Sequence, residues 1–145
     1  MKILLAIDNS KFPEAATQAV IAQIRPPDTK IRVLHVSEPL VVGEFAEFDV
    51  NLETEIKKTE TLVAKVADTL RAQGFDVTTP VEQGDPRSRI IDCAAEWSAD
   101  LIVLGSHGRT GLDRFLLGSI SEAVARHAPC SVEIVRLPSG PQSER

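Results

Sequence analysis

Leu101-Ile102-Val103-Leu104 is a run of apolar residues with no polar interruption, closed by Asp100 on one side and Gly105 on the other. A half-buried strand alternates apolar and polar residues. A run without alternation has to bury both faces, as strands do in a parallel sheet covered by helices on each side. Ile3-Leu4-Leu5-Ala6-Ile7, ending at Asp8, has the same character. Ile31–Val36 and Val132–Val135 are less continuous versions, and Phe75–Val81 alternates weakly, with an interruption at Pro80.

The spaces between these runs carry helical spacing. Ala16, Ala19, Val20 and Ile24 follow Pro13 and stop at Pro26-Pro27. Ile56, Val63, Val66 and Leu70 form a second stripe that ends near Gly74. Ile90, Ile91, Ala94, Ala95 and Trp97 form a third behind Asp85-Pro86, a capping residue followed by a first-turn proline. A short helix is expected from about Ser119 to His127. The resulting β-α-β-α-β-α-β-α-β order predicts a parallel α/β sheet with right-handed crossovers and helices on both faces.

The chain has 145 residues, enough for one domain and too few for two ordinary ones. That domain is expected over residues 1–137, with a loose tail at 138–145. A hydrophobic fraction of 43% allows a packed core, and a net charge of −5 disfavours a general nucleic-acid or membrane-surface partner. The first apolar run is too short for a secretion signal or a membrane span, so a cytoplasmic location is expected. Cys93 and Cys130 have neither metal-ligand spacing nor a disulfide framework, and read as buried thiols. Residues 37–51, with Pro39, Gly43, Phe45 and Phe48, show no clean period, and a connection of this length invites a functional role.

Ligands of open α/β sheets bind beyond the carboxyl ends of the strands, where the winding reverses. Asp8 and Gly105 each follow an apolar run directly, and they share one crevice if their strands are neighbours. From Gly105 to Gly118 the chain holds four glycines in fourteen residues and then enters a helix. Glycine permits a positive φ and lets a phosphate approach the backbone, while the helix start offers N–H groups and the Ser119 and Ser121 hydroxyls. Ser119-x-x-Glu122 is equally a capping box, which needs no ligand. Neither a P-loop nor a dinucleotide fingerprint is present. His107 reads as a solvated loop residue, because no partner acid is indicated. Arg109 is either a phosphate partner or a solvated side chain. His35 reads as packed or surface-facing, and Trp97 as helix–sheet packing.

Gly105-x-x-Gly108, nine residues, then Gly118-Ser119 resembles the G-x2-G-x9-G-[S/T] pattern of the ATP-binding branch of the universal stress protein family. The likeness extends over nearly the whole chain, including Gly84-Asp85-Pro86 and Ala128-Pro129-Cys130. One departure is Ser131, where many members have proline. The resemblance implies a flavodoxin-like open sheet of five parallel strands in the order 3-2-1-4-5. It implies that Asp8 holds ribose, that Val36 meets adenine through its backbone, and that Ala6 and Ile7 line the pocket. Leu104, Gly105, Gly108 and Arg109 would border ribose and phosphates. Gly118, Ser119, Ile120 and Ser121 would form the phosphate cradle.

The implied ligand is ATP, with or without Mg or Mn, and the implied assembly is a homodimer joined along the fifth strand. No lysine stands in the glycine segment and no base is evident, so hydrolysis should be slow or absent and no catalytic residue is assigned. Two other functions compete with this one: a nucleotide-independent interaction module of the same fold, and a slow ATP-hydrolysing or adenylyl-transferring enzyme.

Overall fold

The computed structural model describes residues 1–7, 13–37, 49–106 and 117–136, without the side chains of residues 49–52. The elements are β1 (Lys2–Ala6), α1 (Pro13–Gln23), β2 (Lys30–Ser37), α2 (Asp49–Ala72), β3 (Asp76–Thr78), β4 (Val81–Gln83), α3 (Pro86–Trp97), β5 (Leu101–Gly105), α4 (Ser119–His127) and β6 (Ser131–Val135). The sheet runs β3-β2-β1-β5-β6, and every pairing is parallel. This is the expected flavodoxin-like order, with one correction.

The strand expected over Phe75–Val81 is two short strands, so the count is six rather than five. Pro80 has no N–H to give a ladder, and the pairing lapses around it. The register survives the gap: Lys30 faces Asp76 before it and His35 faces Val81 after it, at the same sequence offset.

The unbroken apolar runs divide their side chains between two cores, one on each face of the sheet. Ile3, Leu5, Ile7, Ile31, Val33 and Val103 pack with Ala16 and Val20 of α1 and Val66, Ala67 and Leu70 of α2. Leu4, Ala6, Leu34, Val36, Ile102 and Leu104 pack with Ile90, Cys93 and Ala94 of α3 and Val124 of α4. Leu4 and Leu5 are neighbours in sequence, belong to opposite cores, and are both fully buried. Full burial of a leucine side chain is worth about 1.5–3 kcal/mol, which is why β1 can occupy the middle of the sheet.

Two helices show how local sequence sets their ends. Asp85 caps α3 by accepting from the Arg87 N–H, and Ser98 closes it at φ 59° with its N–H turned back toward the Ala94 and Ala95 carbonyls. Helix α2 begins at Asp49, inside the stretch expected to be irregular. At ~1.5 Å per residue its 24 residues span about 36 Å, against about 26 Å for the eight residues of β2, so its first turns extend past the sheet. Ile56 therefore does not complete the buried stripe. It is 48% exposed, while Val66 and Leu70 lie in the core.

Candidate functional site at the carboxyl ends of the central strands

β1 and β5 are neighbours, with Ile3 facing Leu101, Leu4 facing Ile102 and Leu5 facing Val103. The two strand ends expected to share a crevice therefore leave the sheet side by side. β2 flanks β1 on its other side, where Ala6 faces Leu34. Beyond β1 the Ile7 N–H continues the ladder to the Leu34 carbonyl at 2.9 Å. Nδ1 of His35 lies 3.1 Å from the Ile7 carbonyl oxygen. A carbonyl can only accept, so Nδ1 carries the hydrogen and donates it. His35 thus fixes the backbone one residue before Asp8, a role that alternation within the strand did not signal.

Several expected site residues come together here. Ala6, Val36 and Leu104 are buried in one core, and Ile120 packs against it. Ile7 is buried in the opposite core. Gly105 ends β5 in register with Val135. Asp8, Gly108 and Arg109 lie outside the described residues, as does His107.

The base of the glycine-rich segment is closed by hydrogen bonds that meet at Ser106. The Gly118 N–H donates to the Ser106 carbonyl at 2.8 Å, and the Ser106 N–H donates to the Val135 carbonyl at 2.9 Å. The Ser121 hydroxyl also donates to the Ser106 carbonyl, at 2.8 Å, with the Gly118 carbonyl at 3.1 Å. Ser106 and Gly118 are thus held together, and Ser106 is tied to the end of β6.

Helix α4 starts from this base. Its N-cap is Gly118, at φ −67° and ψ 162°, with no side-chain cap hydrogen bond. The capping-box reading of Ser119 and Glu122 is therefore corrected. A box needs its serine at the N-cap, but Ser119 is already the first helical residue. Glu122 makes an ion pair with Arg126 at 3.2 Å. Ser119 is left exposed on the first turn, where the helix dipole is positive. The glycine argument also changes. Among the described residues the positive-φ glycines are Gly74 and Gly84. Gly118 is extended, so what its missing side chain gives is space, not a special conformation.

One depression among the described residues lies elsewhere. An open hollow of about 510 Å³ at the amino ends of β1, β2 and β3 is lined by Met1, Lys2, Lys30, Asp28, Gly74 and Asp76, among others. Its size does not make it the better anion site. Helices α1 and α2 end toward it, and helix carboxyl termini repel anions. The carboxyl end of the sheet instead receives the amino terminus of α4.

The chain matches the profile of the universal stress protein family over residues 1–136. A Staphylococcus aureus (strain USA300) relative that carries the universal stress protein name is 33% identical over 137 residues, covering 92% of this chain and 82% of the relative. Among solved structures, the hypothetical protein MJ0577 superposes with a TM-score of 0.84 at 28% identity, covering 96% of this chain and 97% of that one. A universal stress protein family member from Arabidopsis thaliana, solved with AMP bound, superposes with a TM-score of 0.70 at 20% identity, covering 96% and 93% of the two chains. With the fold, the strand order and the family profile in agreement along nearly its whole length, the chain belongs to the universal stress protein family.

Proposed function

We propose that this protein binds an adenine nucleotide, ATP in the first instance, at the carboxyl ends of β1, β2 and β5, and acts as a stress-response or regulatory module with little or slow hydrolysis. The observation that carries the reading is the start of α4. It has a glycine where a capping side chain would stand, and an exposed serine on its first turn. It sits at the closed base of a glycine-rich segment beside the reversal of strand order. Such an arrangement favours a phosphate group. The AMP held by the Arabidopsis relative supports adenine as the base.

In this reading Ala6 and Val36 border adenine on one face of the sheet, Ile7 reaches the pocket through its backbone because its side chain lies in the opposite core, and Leu104 borders the ribose. Asp8 holds the ribose. Gly105, Gly108 and Arg109 border the phosphates, and Gly118, Ser119 and Ile120 receive them through backbone and hydroxyl groups. The Ser121 N–H belongs to the same helical turn. Any Mg or Mn would arrive with the nucleotide. Among the described residues no cluster of three His, Cys, Asp or Glu side chains is placed to hold a metal ion.

The test is release of bound ligand from freshly purified protein by acid, followed by chromatography. An adenine nucleotide near one equivalent per chain is expected. A nucleotide-free protein that also fails to bind added ATP in calorimetry would overturn the proposal.

A further inference from the structure

We propose that Ser121 is a positioning residue and not a phosphate ligand: its hydroxyl fastens the two ends of the glycine-rich segment together at the Ser106 carbonyl, and so sets where Gly118 and Ser119 stand. The proposal rests on the nucleotide reading of this site.

Ser121 is 3% exposed and Ser106 is 7% exposed. A serine hydroxyl has one hydrogen to give. Its two possible acceptors are the Ser106 carbonyl at 2.8 Å and the Gly118 carbonyl at 3.1 Å. The Gly118 carbonyl already accepts the first intrahelical bond, from the Glu122 N–H at 2.9 Å. The Ser106 carbonyl likewise accepts one backbone N–H, from Gly118 at 2.8 Å, and each carbonyl has a second lone pair, so the distances decide and the hydroxyl donates to Ser106. The shorter bond is also the one that crosses between elements, joining residues fifteen apart in sequence.

A hydroxyl committed in this way, and buried, cannot also donate to a phosphate. Its effect on ligand is transmitted through Ser106, whose carbonyl holds the Gly118 N–H and whose N–H is held by Val135. The exposed Ser119, two positions earlier, is the hydroxyl left for the ligand.

The experiment uses the full chain and the substitutions Ser121→Ala, Ser121→Thr and Ser121→Val. Thr and Val have the same shape and differ in the hydroxyl. Two quantities are read: hydrogen exchange at the Gly118 amide without ligand, by NMR, and ATP affinity by calorimetry. Loss of one neutral hydrogen bond should speed Gly118 exchange roughly three- to tenfold in the Ala and Val variants. Thr should keep the wild-type rate, and affinity should follow the same order. If Thr and Val lower the melting temperature alike, the added methyl is responsible and the Ala variant decides. Unchanged Gly118 exchange in Ala and Val overturns the proposal. So does weaker ATP binding by Ala with wild-type exchange, since the hydroxyl would then meet the ligand itself. If wild type fails to bind ATP, the nucleotide reading fails, and Gly118 exchange still decides the role of Ser121.

Discussion

Replacing Gly118 by valine separates the needs of the fold from the needs of the ligand. Gly118 has φ −67° and ψ 162°, a conformation any residue adopts. No backbone strain should follow, and the ligand-free protein should stay folded. The cost to the fold is the poorer N-cap, on the order of 0.5–1 kcal/mol. With an unfolding entropy of roughly 0.3 kcal/mol/K for a chain of this size, that lowers Tm by about 2–3 °C. The wild-type protein at a nucleotide concentration about 100 times Kd gains roughly 2.7 kcal/mol, a rise of about 9 °C. In the valine variant three extra carbon atoms stand where a phosphate would approach the start of α4, and the rise should vanish. Gly118→Ala, which adds a single carbon, should keep part of it. The assay is thermal unfolding by circular dichroism with and without ATP. Equal shifts in wild type and Gly118→Val would refute the placement of the phosphates. A ligand-free variant that melts far below wild type would refute the claim that this backbone tolerates a side chain.

Three further outcomes are expected. First, β6 is an edge strand with half-buried Val132, Ile134 and Val135 and one charge, Glu133, so two copies should pair along it. Light scattering should give twice the chain mass, Ile134→Pro should halve it, and 15.8 kDa for the unmodified protein rules the pairing out. Second, the Arg87 side chain and N–H hold the Asp85 carboxyl below its ordinary value of 3.8. The stabilisation from its charge should be present above that value and be lost as pH falls through the lower folded value. The Tm difference between wild type and Asp85→Asn should therefore shrink on acidification from about pH 7 to about pH 2, and a constant difference counts against the pairing. Third, burial, helped by the nearby Glu82 charge, raises the Cys93 thiol above its ordinary value. Iodoacetamide should modify it in the native protein more slowly than free cysteine at neutral pH, and equal rates would contradict its burial.

The order of elements was legible because each central strand must satisfy two cores, and unbroken runs such as Ile3–Ile7 record that requirement. The ends of α1, α3 and α4 were legible from Pro13, from Asp85-Pro86 and from the glycine before Ser119. The start of α2 was not. Its side chains over residues 53–58 are exposed, so no face is selected for burial and no apolar period is written there. Pro80 was visible as an interruption, but its consequence, two strands kept in one register, depends on β2. At the candidate site the spacing of Gly105, Gly108, Gly118 and Ser119 located the segment. It could not tell which way a hydroxyl turns. The pattern ends at Ser119 and leaves Ser121 undetermined, and in the fold Ser119 is exposed while the Ser121 hydroxyl is spent on Ser106. His35 was read only as packed or surface-facing for the same reason: its partner is a backbone carbonyl 28 residues away.

The place of β1 in the sheet has a consequence for how the chain is made. β1 leaves the ribosome before the other described strands, yet one of its two neighbours, β5, lies about a hundred residues later, with Ile3 waiting for Leu101. Once β2 has paired, the opposite edge of β1 still presents open N–H and C=O groups on an almost wholly apolar strand, and it does so until most of the domain has been synthesised. Pairings so distant in sequence form late, and an unpaired apolar edge is the kind of surface on which nascent chains associate wrongly. Synthesis rate and chaperone capture during that interval should therefore govern the yield of folded protein more than the final stability does. A charge at Ile102, fully buried in the second core, should lower Tm and soluble expression together.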